Sequence, residues 1–149
     1  MEANRKKIRI RSARQEDLDS IGHLLIASDL PSDGIENHLS SMLVGELEYQ
    51  IVATAALEMY GESALLRSVA VDSIARGTGL GTRMTEAIVK LALRLRVKRL
   101  FLLTETAEDF FPKFGFRKVN RSDIPDNVKS SLEFTLLCPS SALALELRL

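Results

Sequence analysis

Between Arg76 and Gly81 the chain reads Arg-Gly-Thr-Gly-Leu-Gly, with an apolar run before it and an amphipathic run after it. Glycines at alternate positions let the backbone turn tightly and approach a ligand closely. The N–H groups at the start of a following helix point outward, with the positive end of the helix dipole behind them. Such a place holds a phosphate or pyrophosphate; the competing reading is a tight turn with no ligand. A mononucleotide loop would end Gly-Lys-Ser/Thr, but Gly81 is followed by Thr82 and Arg83. A dinucleotide fingerprint would lie near the first strand, with an acidic residue about 20 positions on. Here the loop is mid-chain and position 101 is Phe. Arg67 is the second chemical signal. It interrupts an apolar run, where a guanidinium is costly unless paired. It either grips a ligand carboxylate in bidentate fashion or forms an internal ion pair with Glu58 or Glu105.

The elements that must position these residues follow from patterning. Residues 7–11 alternate as a half-buried strand does. Ser12 with Gln15 reads as a capping box. Behind it Leu18, Ile21, Leu24 and Leu25 mark a helix to about residue 28. Turn residues fill 29–34, and a short helical turn follows at 35–40. Residues 42–48, 50–59 and 63–72 predict a three-strand antiparallel meander. After the glycine loop, Leu80, Met84, Ile88, Leu91 and Leu95 define one face of a helix to about residue 95. Residues 98–104 read as a buried strand, 106–113 as a short helix closed by Gly115, and 116–119 as a strand. Pro125 opens a helix over 125–136, and 141–148 forms a last strand. A strand, a helix and a strand over 63–104 make a crossover, so those two strands should be parallel. The expectation is an α/β (α+β) fold. Its mixed, mostly antiparallel sheet has six to seven strands, with helices on both faces, in one domain over 1–149.

Composition bounds the partners. Twenty basic residues balance twenty acidic ones, which argues against a nucleic-acid partner. One cysteine, Cys138, excludes an intrachain disulfide and a Cys-rich zinc site. No apolar run approaches the length of a membrane span, and the first residues have no secretory h-region. A reduced, cytoplasmic compartment fits best.

Two blocks together carry a family resemblance. Val69-Ala-Val-Asp72 followed by Arg76-Gly-Thr-Gly-Leu-Gly81 resembles the coenzyme A signature of the GNAT N-acetyltransferase superfamily, Gln/Arg-x-x-Gly-x-Gly/Ala. Thr104-Glu-Thr-Ala107 with Phe110-Phe111-Pro-Lys-Phe-Gly115-Phe116 resembles its next block, Asn-x-x-Ala-x-x-Phe-Tyr-x-x-x-Gly-Phe. The resemblance covers about residues 7–119. Within the superfamily, Ala64-Leu-Leu-Arg-Ser-Val-Ala-Val71 and Leu102-Leu-Thr-Glu-Thr-Ala107 are most similar to a small bacterial branch. That branch includes N-acetylglutamate-synthase-like domains and N-acetyltransferases linked to arsenic-resistance operons. The resemblance implies the GNAT fold and acetyl-CoA as co-substrate, without a metal. It implies that the strand at 63–72 splays from the strand at 98–104 with the cofactor in the gap. Cofactor-binding positions are then Val69, Ala70, Val71, Arg76, Gly77, Thr78, Gly79, Leu80, Gly81, Thr82 and Phe111.

Acetyl transfer to an amine needs the amine deprotonated, the carbonyl polarised and the thiolate leaving group stabilised. The family's usual acid is a tyrosine where this chain has Phe111, and its asparagine position is Thr104. Positioning must then supply much of the rate. Candidate catalytic groups are Glu105, as a base directly or through water or else a solvated residue at a strand end, Ser68, facing the cleft or bonded to backbone, and Thr104; Arg67 is the substrate-binding candidate. For Glu58 a surface charge is the favoured reading, and for Tyr49 and Tyr60 packing at the core or rim. His23 reads as structural, and His38 lies outside both blocks. With no third histidine there is no metal-site spacing. The loop at 29–38 is either a lid or an ordinary turn, and the basic clusters at 5–14 and 94–99 read as solvated faces. The C-terminal stretch 142–149 either pairs across a homodimer or completes the sheet. The resulting expectation is an acetyltransferase acting on a small amine. A non-catalytic acyl-CoA-binding module and a protein N-terminal acetyltransferase are the alternatives.

Overall fold

The computed structural model describes residues 7–131 and 142–149. Seven strands are ordered β1-β2-β3-β4-β5-β7-β6. They are β1 (Arg9–Ser12), β2 (Met42–Leu47), β3 (Gln50–Tyr60), β4 (Ser63–Val71), β5 (Arg99–Thr104), β6 (Arg117–Lys118) and β7 (Leu143–Arg148). The helices are α1 (Leu18–Ala27), α2 (Leu80–Arg94) and the single turn α3 (Asp126–Lys129). The chain forms two compact units, residues 1–57 with 68–91 and residues 58–67 with 92–149. β3 and β4 each belong partly to both.

In the first unit β1 pairs antiparallel with β2, and β2 with β3. Ile21, Leu24 and Leu25 of α1 pack with Ile35, Met42, Val44, Ile51, Ala56 and Ala70. The Leu18-Ile21-Leu24-Leu25 spacing therefore buries the expected stripe. The expected cap at Ser12 does not form, because Ser12 is still in β1, opposite Leu43. Asp17 performs that task instead. Its carboxylate accepts the Arg14 N–H at 2.8 Å and both terminal nitrogens of Arg11 at 2.8 and 3.0 Å. Arg11 also donates to Glu46 at 3.0 Å, so within the 5–14 cluster this arginine is a buried clasp and not a solvated charge. The Arg11 contact holds the Asp17 carboxyl below its ordinary value despite burial.

The helix α2 buries Leu80, Met84, Thr85 and Ile88. A Cβ at Gly45 of β2 would stand 3.1 Å from the Ala53 Cβ on β3, tighter than ordinary packing, while Leu80 and Met84 of the helix would lie at an ordinary 3.6 Å. Leu95, expected on the buried face, lies past the helix end and is 41% exposed.

In the second unit β5 pairs parallel with β4 through Ser63↔Arg99, Ala64↔Leu100 and Leu65↔Phe101. This confirms the crossover. β7 pairs antiparallel with β5 and with β6. Leu65, Phe101, Ile124, Val128 and Ala144 form the core there. The helix expected over 106–113 is a 3-10 turn, Phe111–Phe114, closed by Gly115. The helix expected from 125 is α3; residues 132–136 of that expectation, Cys138, residue 141 and the start of the basic cluster at 5–6 lie outside the described residues. Among the described residues no helix is long and apolar enough to cross a membrane.

Candidate active site

The first unit contains the glycine loop, and each step of its path has a local cause. Asp72 leaves β4 with its N–H bonded to the Val52 carbonyl at 2.7 Å. Its carboxylate accepts the Ile74 N–H at 3.1 Å and caps the 3-10 turn Ser73–Ala75. The Thr78 hydroxyl donates to the Ala75 carbonyl, so this side chain is buried against the turn and leaves the outer face clear. Gly77 and Gly79 on either side have φ of +78° and +81°. A Cβ at Gly77 would meet nothing within 4 Å. α2 then begins at Leu80, and its Arg83 N–H reaches back to the Gly79 carbonyl at 3.1 Å. The amides that precede this bond have no intrahelical acceptor. The exposed Arg76 lies at the mouth, its Nε 3.3 Å from the Val71 carbonyl. Open space at Gly77, helix-start amides and the exposed Arg76 could hold a diphosphate-bearing ligand.

Upstream of the loop, Val69 and Val71 are half-buried and Ala70 is buried. Ser68 is buried with φ of +58° in the middle of β4. For a residue with a Cβ this left-handed backbone costs about 1–2 kcal/mol. Sequence patterning carried no signal for this distortion, since a serine inside an apolar run reads as regular strand.

The second unit holds the other chemical candidates. Arg67 donates from Nη1 to Oε1 of Glu58 at 3.0 Å, with side chains 2% and 7% exposed. Of the two readings of Arg67, the internal ion pair is the one realised, and Glu58 is its partner. The expectation that Glu58 is a surface charge is overturned. β3 runs on past it to Tyr60, and Arg67 compensates the buried carboxylate. The Tyr60 hydroxyl donates to the other oxygen of Glu58 and also bonds Ser131. Burial, reinforced by the Glu58 carboxylate, pushes the phenol up to about 12. Tyr60 and Ser131 are the members of this network that sequence reasoning missed; only the packing of the tertiary structure makes it.

Thr104 accepts the Ala107 N–H through Oγ1 at 2.9 Å, so its hydroxyl shapes the turn after β5. Glu105 next to it is exposed. Phe111 is buried, edge-on to Phe110 at 5.1 Å and to Phe116 at 5.7 Å between ring centroids. His23 is exposed on α1, and Tyr49 stands 96% exposed at the β2–β3 turn, far from the core or rim packing expected of it. A cavity of about 410 Å³ at the β6–β7 edge, lined by Gly115, Arg117 and Glu146 among others, contains none of these candidates. Among the described residues no group of His, Cys, Asp and Glu could hold a metal ion.

The amino-acid acetyltransferase of Mannheimia succiniciproducens is 33% identical over 93 residues, covering 61% of this chain and 21% of that protein. The amino-acid acetyltransferase of Actinobacillus pleuropneumoniae is 30% identical over 115 residues, covering 76% of this chain and 26% of that one. The chain thus spans about a fifth to a quarter of the length of these curated relatives. Two solved structures share the fold. N-acetylglutamate synthase from Neisseria gonorrhoeae, complexed with coenzyme A and N-acetyl-glutamate, superposes with a TM-score of 0.83 at 22% identity. That match covers 95% of this chain and 35% of the synthase. Rv2747 from Mycobacterium tuberculosis, in complex with CoA and NLQ, gives 0.81 at 22% identity and covers 95% of this chain and 99% of that one. The family model of the acetyltransferase (GNAT) domain matches residues 38–118, from before β2 through the glycine loop to β6, and the chain belongs to that family.

Proposed function

We propose that this chain moves the acetyl group of acetyl-CoA to the amine of a small molecule, an amino acid or an analogue of one, by direct transfer in a ternary complex. The family match, residues 38–118, runs through both compact units, and we take residues 1–149 as one acetyltransferase domain acting in the cytosol. The observation that carries the proposal is the cradle from Arg76 to Thr82. Gly77 and Gly79 are left-handed, a Cβ at Gly77 would meet nothing within 4 Å, and α2 begins directly behind them. Backbone groups of Val69 and Val71 add to the pantetheine arm as a further strand, with Ala70 between them. This is supported by the β4–β5 ladder, whose register ends at Leu65↔Phe101, well before β4 ends at Val71. Amides of Gly77, Thr78, Gly79, Leu80, Gly81 and Thr82 receive the diphosphate, Arg76 adds charge, and Phe111 contributes to the apolar wall.

In the transfer, the amine nitrogen attacks the thioester carbonyl, a C–N bond forms and the C–S bond breaks. The amine proton passes to Glu105 through water, and the sulfur leaves as thiolate. Ser68 and Thr104 supply hydroxyls near the reacting groups. With Phe111 in the family's tyrosine position, alignment of the two substrates provides most of the acceleration. Arg67 is held through Nη1 by Glu58, and we assign it the indirect role argued below. The acceptor's likeness to an amino acid is supported by the amino-acid acetyltransferases this chain resembles.

Calorimetric titration with CoA, then thiol release from acetyl-CoA with a panel of amino acids and amines, tests the proposal. Binding followed by acceptor-dependent release is expected. A chain that binds no CoA refutes it. The absence of a phenol at Phe111 favours one second reading, an acyl-CoA-binding module without turnover; CoA binding with no release on any acceptor is its signature.

A further inference from the structure

Ser68 is buried and held with φ of +58° in a strand whose other residues are extended. Such a backbone persists only where its surroundings over-determine it. The residue before it, Arg67, is almost wholly buried and ion-paired at 3.0 Å to Glu58 on the neighbouring strand. Glu58 in turn accepts from Tyr60, whose hydroxyl also bonds Ser131. A buried ion pair is an expensive way to join two strands. An apolar pair of similar volume generally serves stability as well or better. What the pair does provide is a fixed position for one residue of β4 relative to β3, one step ahead of the strained serine.

We propose that Arg67 and Glu58 are positioning residues that act through Ser68. Their ion pair locks β4 on one side of the distortion, so that Ser68 cannot relax into a regular strand. The backbone of Val69 and Val71 is thereby preset to receive the cofactor's arm. Tyr60, itself bonded to Ser131, holds the second oxygen of Glu58 so that the carboxylate keeps one orientation. The functional half of this assignment rests on the proposed binding of CoA; the mechanical half does not.

Four proteins test it: the wild type, Glu58→Gln, Ser68→Gly and the double variant. Each is followed by urea unfolding and by CoA titration. If the pair holds the strain, Ser68→Gly stabilises the wild type relative to its effect in Glu58→Gln, where the serine has already relaxed. The strain of one left-handed residue corresponds to roughly a 5- to 30-fold difference between the two effects in the unfolding constant. The extra chain entropy of glycine is common to both backgrounds and cancels. The same factor should appear in binding. Glu58→Gln weakens CoA roughly 5- to 30-fold, because the relaxed strand must be strained again, and Ser68→Gly restores the affinity. A merely structural loss would not be rescued by a glycine. Equal effects of Ser68→Gly in both backgrounds overturn the proposal. So does a CoA affinity in Glu58→Gln equal to the wild type's. If the wild type binds no CoA, the proposed function falls, and the unfolding cycle alone decides the role of the pair. Should Glu58→Gln fail to fold, Glu58→Leu with Arg67→Met replaces it in the cycle.

Discussion

Gly77 and Gly61 form a matched pair, and substituting each by alanine separates the cradle from backbone strain. Both have positive φ, +78° and +63°, and at both a Cβ would find nothing within 4 Å. Alanine therefore meets no clash at either site and brings only the left-handed penalty, about 1–2 kcal/mol. For a chain of this length each kcal/mol lowers Tm by roughly 2–4 °C, so both variants should melt roughly 2–8 °C below the wild type. Their binding behaviour should diverge. Gly61 belongs to the turn between β3 and β4, and Gly61→Ala should bind CoA as the wild type does. At Gly77 the methyl occupies the space proposed for the diphosphate. Loss of one charge-assisted hydrogen bond is worth about 1.5–3 kcal/mol, which weakens CoA roughly 10- to 150-fold. Differential scanning calorimetry and isothermal titration read the two quantities on the same samples. If Gly77→Ala and Gly61→Ala bind CoA equally well, the cradle is not where the diphosphate sits.

Phe111→Tyr restores a phenol at the family's acid position; because Phe111 is packed edge-on between two rings, it should cost about 1 kcal/mol of stability and raise the rate of thiol release, and an unchanged rate would show that position 111 does not face the sulfur. Asp17 is expected to dominate the acid limb of stability. Its folded pKa lies below the unfolded value of about 3.9. The Asp17 contribution is therefore complete above that value and is lost as pH falls through the folded one. Asp17→Asn should remove about 2–3 kcal/mol near neutrality, less than an outright broken buried pair because Glu46 still holds Arg11. It should also flatten the pH dependence of urea unfolding below pH 4 or so. A variant that keeps the wild-type acid limb would place that titration elsewhere, with Glu146, held low by Arg99, the next group to examine.

Much of the architecture was written locally. The stripe Leu18-Ile21-Leu24-Leu25 depends on neighbours in the chain and formed where its pattern placed it, while the alternation in 7–11 gave a strand that is shifted to Arg9–Ser12. The glycine loop was legible for the same reason. Left-handed φ at Gly77 and Gly79 and a helix start at Leu80 follow from residue type and spacing, whatever packs around them. What failed locally was whatever a distant partner decides. Ser12 could not cap a helix because β2 holds it in a strand, and Asp17 became the cap because Arg11 and the Arg14 amide converge on it. Taken alone Glu58 read as a surface charge, and beside Arg67 as one of two possible partners with Glu105; only the fold chose it, since a buried charge is tolerable only where its counter-charge lies. The left-handed Ser68 has no mark of its own in the sequence. A serine permits many backbones, and only the register of packed strands chooses the strained one. The sequence alone thus determined the glycine turn to which the proposed function assigns the diphosphate. The tertiary structure decided which charges are paired and which residue is strained, because those depend on free energies shared between segments far apart in the chain.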